Sequence, residues 1–505
     1  MLTKILLALT GQYPWQGYFQ IPVEIILLPH WFPINFFDFV GYARVHIAPI
    51  LVVADRKFVM KTKRTPDISD LRKNDLPTAL GNHPYLTNQR SHEYRALFNT
   101  ILDGFKNLPY LPSQIHNMAL RQAERFILER IEPDLVQLFH FHVSYDIRST
   151  FPWIFGQSSS DHPCDFRAES NDLPDQWTFP YSDCDINGLE SALLAHAMQG
   201  TGVSASDPAV QNAGRYLLSR QHHKYGDWMM KNLFVLPGGW GFSNINTINP
   251  DVDDTTAALK AISKLRETDP TFHHSWDRGL NWLLSMQNAD GGWPAFEKNT
   301  DKRILNWLPF DAADAVSTDP STADLTGRTL EFLGNSAGFT IGHPQIQRGV
   351  KWLLSNQEAN GSWYGRWGIS YIYGTWAAAT GLIAVGVSSE HPAIQKAVQW
   401  LLKIQNEDGG WGESCKSDIV KTYVSLGVST PSQTAWGVDA LISVFQKPIP
   451  AIERAIQFLI DSEKNQDWTL SYPTGAGLPG GFYFHYHSYR YIWPLLALGN
   501  YKKKY

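Results

Sequence analysis

Cysteine is scarce in this chain of 505 residues: Cys164, Cys184 and Cys415 are the only three, and none stands at a metal-ligand spacing from another. Neither a disulfide framework nor a cysteine-based zinc site has support, and a reducing cytoplasm fits. An excess of positive charge is also missing. Lys and Arg number 43 against 48 Asp and Glu, a formal charge of -5, and no Lys/Arg cluster exceeds Lys502 to Lys504. Such a surface gives a phosphate backbone nothing to bind, so nucleic acid is not expected as a partner. Uninterrupted apolar runs are absent too. Residues 1–10 hold an apolar stretch of about six residues without a cleavage pattern, which reads as no export signal. Residues 21–40 are rich in Ile, Leu and Phe, but Glu24, Pro29, His30, Pro33 and Asp38 break the run. A membrane-spanning helix does not tolerate those interruptions, so the region is expected to touch a bilayer surface rather than cross it.

What the chain does have is apolar and aromatic side chain: 43% of residues are hydrophobic and 13% aromatic, 19 Trp among them. A chain of this size can bury large cores and is expected to hold two or more domains. One phrase recurs along it, an aromatic and two aliphatics followed by Gln, Gly and Trp. Trp282-Leu-Leu-Ser-Met-Gln287 leads to Gly291 and Trp293, Trp352-Leu-Leu-Ser-Asn-Gln357 to Gly361 and Trp363, and Trp400-Leu-Leu-Lys-Ile-Gln405 to Gly409 and Trp411. Worn copies flank these: Tyr216-Leu-Leu-Ser-Arg-Gln221 with Gly226 and Trp228, and Phe458-Leu-Ile with Gln466 and Trp468. Each copy reads as a helix that turns Trp and Leu to a neighbour and ends at a left-handed Gly. The Gln amide would bond free backbone groups at the helix end, under the following indole. One copy could be any amphipathic helix with a Gly stop, but copies in register make a repeat. More apolar helices, most of them starting at Thr or Ser, are predicted between the copies over 255–265, 321–333, 371–387 and 430–445. Alternation of amphipathic and apolar helices predicts an all-α fold, an α/α barrel with the apolar set inside and the Trp-Leu-Leu set outside.

Chemistry concentrates in Asp251-Val-Asp253-Asp254-Thr-Thr256, which follows Pro237-Gly-Gly-Trp240-Gly-Phe242 and leads into one of the apolar helices. One or two acids at a helix start serve as a cap against the helix dipole, and a third exceeds what capping requires. Crowded carboxylates cannot all ionise, so one should stay protonated near neutral pH and can act as a proton donor. A magnesium–diphosphate site would want Asp-Asp-x-x-Asp, yet Ala257 stands three residues after Asp254, and no glycine-rich phosphate loop is present. The cluster therefore reads as a Brønsted acid rather than a metal site. His485 and His487 could suggest a metal pair, but no third ligand is evident and a structural role is expected.

With the Gln/Trp repeats and the Asp-Val-Asp-Asp-Thr-Thr motif on view, the chain resembles the squalene-hopene cyclase family of class II terpene cyclases. Its wording at 238–246, 321–328, 361–375 and 411–416 is most similar to the bacillar tetraprenyl-β-curcumene cyclases, also called sporulenol synthases. The likeness covers 12–131 and 187–501. It implies that Asp253 protonates a terminal alkene, with Asp251 and Asp254 holding it in an acidic geometry and without metal or organic cofactor. Asp324 matches the acid of a supporting Asp-x-x-x-His pair, but Arg328 stands where squalene-hopene cyclases have His. A permanent cation there would stabilise the aspartate left after proton transfer and so strengthen the acid. The carbocation then needs partners that are not nucleophiles, and aromatic faces supply about 0.5–2 kcal/mol each. The resemblance assigns this role to Trp15, Phe242, Phe296, Trp367, Tyr373, Phe482, Tyr486 and Tyr489, with Leu478 replacing an aromatic. The implied partner is a polyprenoid lipid, tetraprenyl-β-curcumene or alternatively squalene. Peripheral attachment to the inner face of the cell membrane is expected, and a homodimer is allowed for.

The resemblance also sets expectations about domains. The chain begins where the family already has helices behind it, so 1–132 is expected to form part of a second α/α barrel with the membrane-facing region. Residues 188–505 are expected to form the catalytic barrel. Between them, 133–187 is aberrant: His140-Phe-His142, Ser158-Ser-Ser160 and Asp161-His-Pro-Cys164 replace the helices expected there, and no helical period survives. A translated frameshift explains this better than a long insertion loop. An incomplete inner wall would admit water, giving low or no activity. Two other readings are a silent lipid-binding remnant and a protein prenyltransferase β-subunit, whose Asp, Cys and His zinc ligands find no match.

Overall fold

A computed structural model of the chain describes residues 2–13, 15, 21–61, 113–131, 187–242, 248–267, 269–307, 317–462, 464 and 467–505. The segment suspected of a frameshift, 133–186, lies outside the described residues, as do Cys164 and Cys184.

The amino-terminal part contributes α1 (Leu2–Leu9), α2 (Gly41–Asp55) and α3 (Ser113–Ile131). Beyond them, six helices form an inner ring: α4 (Asn187–Gly200), α6 (Val252–Ile262), α8 (Ala323–Asn335), α10 (Ser370–Ala384), α13 (Pro431–Val444) and α15 (Tyr489–Lys504). Each packs on the next and α15 returns to α4, so the ring closes. Outside it lie α5 (Pro208–Arg220), α7 (Pro270–Ser285), α9 (Pro344–Ser355), α11 (Pro392–Ile404) and α14 (Pro450–Ser462), each against the inner helix that precedes it. The short α12 (Lys416–Val420) and an antiparallel ribbon, β1 (Gly475–Leu478) with β2 (Phe482–Phe484), complete this part. This is the α/α barrel that the helix alternation predicts. The ring closes among the described residues, and the segment whose loss was expected to leave the wall around the cavity incomplete, 133–186, lies outside them.

Burial explains which helices go inside. In α10 every residue from 370 to 382 is buried, and in α13 every residue from 431 to 442. The outer α9 buries only the stripe Ile346, Gly349, Val350 and Leu353, the spacing of one helical face. Four of the five outer helices begin at Asp-Pro or His-Pro and α14 at Ile449-Pro450, whereas the Thr and Ser starts were expected of the inner helices. Asp207 and Asp269 each accept a backbone N–H at 2.8 Å, and His343 and His391 accept one through Nδ1 at 3.3 and 3.2 Å, while Pro occupies the first turn.

The repeat turns out to be a set of cross-links. Gln287 donates to the Gly291 carbonyl and to that of Gln345 on the next outer helix, both at 2.8 Å. Gln357 and Gln405 repeat this with Gly361 and Ala393, and with Gly409 and Ala451. The Gln thus joins successive outer helices rather than only capping its own. The Trp joins outer to inner. The Trp293 indole donates to Leu283 O at 3.0 Å, while its backbone N–H donates to Thr326 Oγ1 at 2.9 Å on α8. In the first copy these tasks fall to Gly238 and Trp240, not to the expected Gly226 and Trp228. Gln221 donates to Gly238 O, and Trp240 donates to Leu217 O and Thr255 Oγ1. The last copy does not close in this way: Trp468 is exposed, and Gln466 lies outside the described residues. Gly291, Gly361 and Gly409 have φ of +100°, +95° and +90°, but they sit in the turn after the helix rather than at its cap.

The amino-terminal part has its own core, including Ile5, Val23, Phe36, Phe39 and Leu51. It meets the barrel through fully buried Arg44, which pairs with Asp227 at 3.1 Å and with Glu297 at 2.9 Å. Within residues 21–40 nine side chains are buried, while 29–33 form one exposed stretch in which Trp31 and Phe32 are the large apolar side chains, at 82% and 39% exposure. Among the described residues no helix is long and apolar enough to cross a membrane.

Candidate active site

The acid motif opens α6. Asp251 is its cap residue, in extended conformation, and its Oδ1 accepts the Asp254 N–H at 2.8 Å. Asp251 is pinned further by its own N–H, which donates to Trp240 O at 2.8 Å, so the repeat fixes the site directly. Asp251 and Asp254 are both buried. Burial holds the Asp251 carboxyl well above the usual carboxylate range, and the neighbouring charge of Asp254 adds to it. Burial likewise pushes Asp254 up to about 7, with the Asp253 charge in support. Burial thus favours the neutral acid at this inner pair.

Asp253 differs from both. Its side chain keeps 20% of its surface, and it forms an ion pair with Arg328, itself 3% exposed. Burial works against the Arg328 charge, but Asp253 and Tyr373 outweigh it and hold the guanidinium firmly protonated. Arg328 also donates to the Tyr373 hydroxyl at 3.0 Å and lies 5.7 Å from the Trp493 ring centroid. The meeting of Arg328 and Tyr373 depends on backbone contact between α8 and α10. A Cβ at Gly381 would stand 2.2 Å from the Gly327 carbonyl oxygen, so only glycine permits the approach. Asp324, fully buried, does not pair with Arg328 in the manner expected of an Asp-x-x-x-His couple. It accepts the N–H of Trp367 at 2.8 Å and of Leu325 at 3.0 Å, and burial raises its pKa. Asp253, Asp324, Tyr373 and Tyr489 all lie in the first turns of inner helices, so they share one end of the barrel, where the dipoles favour a carboxylate.

Aromatic faces extend from this cluster in two directions. On one side Trp367 meets Phe296 edge-on at 5.8 Å, Phe296 stacks on Tyr42 at 5.5 Å, and Phe242 lies 5.9 Å from Tyr42. Three N–H groups at 295–297 are held by buried Asp319, which fixes Phe296. On the other side Tyr373, Trp436, Trp376 and Trp493 pack together, and Tyr489 and Tyr486 continue from Trp493. The ribbon docks beside Trp367, where the Ala476 N–H donates to Trp367 O at 2.9 Å. Phe482 lies in β2, and its side chain is outside the described residues.

Trp15 is the exception among the expected aromatics. It belongs to the amino-terminal core, with its indole on Phe58 O at 2.8 Å. Tyr42, by contrast, was missed, because nothing in Gly-Tyr-Ala-Arg marks it before Arg44 seats α2 on the barrel. The tryptophans at 376, 436 and 493 were also missed, since their sequence neighbourhoods read simply as apolar helix.

Buried carboxyls beside an ion-paired aspartate, flanked by aromatic faces at one end of an α/α barrel, are the equipment of a class II terpene cyclase. The comparisons agree. Residues 189–503 match the squalene-hopene cyclase C-terminal domain and residues 1–136 the N-terminal domain. The chain is 46% identical to sporulenol synthase of Bacillus subtilis over 99% of its length and 78% of that protein. It is 34% identical to squalene–hopene cyclase of Alicyclobacillus acidocaldarius over 100% of its length and 79% of that protein. A squalene-hopene cyclase of Schizosaccharomyces japonicus is also 34% identical, over 99% of the chain and 77% of that protein. The chain belongs to the squalene-hopene cyclase family and is a proton-initiated cyclase of polyprenoids.

Proposed function

We propose that Asp253 delivers the initiating proton and that the substrate is tetraprenyl-β-curcumene in preference to squalene. The observation that carries the first part is the Asp253–Arg328 ion pair beside the buried carboxyls of Asp251 and Asp254, whose pKa values burial raises. Asp253 alone of the three retains open surface. In the starting step its O–H bond breaks, a C–H bond forms at the terminal alkene, and the electron pair of that alkene leaves a tertiary cation. Arg328 stabilises the carboxylate left behind, and Asp251 or Asp254 holds a proton with which to restore the acid. Successive alkenes attack the cation to close rings. The last cation loses a proton, or captures water and loses a proton from it, so no net proton is consumed. Phe242, Phe296, Trp367, Tyr373, Phe482, Tyr486 and Tyr489 are assigned to cation stabilisation, and Tyr42 joins them. Asp324 is assigned the orientation of Trp367.

The substrate preference rests on Arg328 in place of His and on the higher identity to sporulenol synthase than to the two squalene–hopene cyclases above. Purified protein is to be incubated with each prenoid and the products analysed by mass spectrometry. Faster conversion of tetraprenyl-β-curcumene supports the reading, and faster conversion of squalene reverses the preference. Binding without conversion of either would favour a lipid-binding remnant.

We assign 1–132 to part of a second barrel and 188–505 to the catalytic one. Peripheral contact with the inner face of the cell membrane follows from a substrate that resides in bilayers. Trp31 and Phe32 are one contact point, and the loop bearing Met230, Leu233, Phe234 and Leu236 is a second. In that loop Phe234 has φ of +68° and is fully exposed. Lys231 on Thr300 and Lys302 on Asp38 link the two points through one surface segment.

A further inference from the structure

We infer that Asp439 is a positioning residue for the acid site, acting through Trp376; the inference rests on the role of Asp253 and Arg328 proposed above. Asp439 lies in the middle of α13 and is nearly buried. Its Oδ2 accepts the indole N–H of Trp376 on α10 at 2.8 Å, and its Oδ1 accepts the amide of Asn500 on α15 at 2.8 Å. One carboxylate thus ties three inner helices. Nothing about stability requires it: a well-packed apolar side chain serves a core at least as well as a buried charge, whereas a polar group specifies one arrangement.

The arrangement it specifies leads to Arg328. Apart from Asp253, two groups among the described residues contact that guanidinium, the Tyr373 hydroxyl at 3.0 Å and the Trp493 ring at 5.7 Å. Trp376 touches both, with ring centroids 5.4 Å from Tyr373 and 5.1 Å from Trp493. An indole free to rotate away from Asp439 would release both supports together. Trp436 does not replace the anchor, because its own indole nitrogen has no hydrogen-bond partner among the described residues. Asp439 therefore sets the register of a ring cluster whose far side is the Asp253–Arg328 pair.

The test uses the full chain and reads kcat and KM separately. Asp439→Leu should lower kcat by about 10- to 100-fold with KM within twofold, the size expected when a catalytic pair is misplaced by about 1 Å. Asp439→Asn, which keeps an acceptor for the indole, should recover most of that loss. Trp376→Phe should reproduce it, and the Leu and Phe substitutions together should do no more than either alone. Unchanged kcat in Trp376→Phe, additive losses in the double variant, or no recovery by Asn would each overturn the inference. If Asp439→Leu does not fold, Trp376→Phe and Asp439→Asn still decide. A crystal structure of Trp376→Phe reads the same point without turnover: Arg328 displaced from Asp253 supports the inference, and an unmoved pair refutes it. A parent enzyme that converts neither prenoid would instead sink the functional reading.

Discussion

Replacing Asp253 by Asn removes the acidic proton at nearly constant shape, and the structure says that it does more than that. Arg328 is almost fully buried and depends on Asp253 for its charge partner. Breaking a buried pair from one side costs about 3–5 kcal/mol when nothing takes its place. Here the Tyr373 hydroxyl still accepts from the guanidinium at 3.0 Å and the new amide oxygen can do the same, so about 1–3 kcal/mol is the expected loss. Catalysis should fall by at least about 10²- to 10⁴-fold, the usual contribution of a positioned general acid. Product formation from either prenoid and urea unfolding followed by circular dichroism measure the two effects separately. Adding Arg328→Met to Asp253→Asn removes the stranded charge, so stability should return towards the parent while activity stays absent. Cyclisation at the parent rate by Asp253→Asn would disprove its role as donor. An unfolding free energy that does not change in the single variant, or does not recover in the double, would disprove the buried pair.

Four further outcomes are expected. Gly291→Ala should destabilise the protein by about 2 kcal/mol or more in calorimetry, because φ is +100° and the new Cβ would stand 2.7 Å from Arg348 O. Asp254 has a folded pKa of about 7, raised above its unfolded value, so its stabilising contribution is full below about pH 4 and is lost as pH rises through 7. Unfolding measured across that window should show stability declining by at most about 4 kcal/mol from this group, and Asp254→Asn should flatten the slope. Trp31→Ser with Phe234→Ser should weaken co-sedimentation with phospholipid vesicles several-fold, and an unchanged bound fraction would remove these two points from the membrane face. Resequencing the coding DNA should find that a neighbouring frame across 133–186 restores a Gln/Trp repeat, and the frameshift is rejected if no frame does.

The barrel was legible in the sequence because its cause is periodic. The Trp-Leu-Leu helices show one apolar stripe and the helices between them are apolar all round, a contrast that fixes outside and inside before any coordinates exist. The acid motif was legible for a similar reason, since three carboxylates at one helix start exceed capping, and it pointed to Asp251, Asp253 and Asp254 together. What it left open is which of them holds a proton by burial and which faces outward. That depends on the depth of each side chain against Trp240, Arg328 and the neighbouring turns, which local sequence does not encode. The same limit explains the first repeat, where Gly226 and Trp228 are nearer in sequence but Gly238 and Trp240 complete the cross-link, because loop length is free and the hydrogen bonds are not. Tyr42 became part of the site only when Arg44 found Asp227 and Glu297 far along the chain. Arg328 met Tyr373 only because Gly327 and Gly381 let two backbones touch. Sequence determined the helices, their inner or outer place and the acid; tertiary contact decided the partners of that acid, since burial and pairing are properties of neighbours brought from distant parts of the chain.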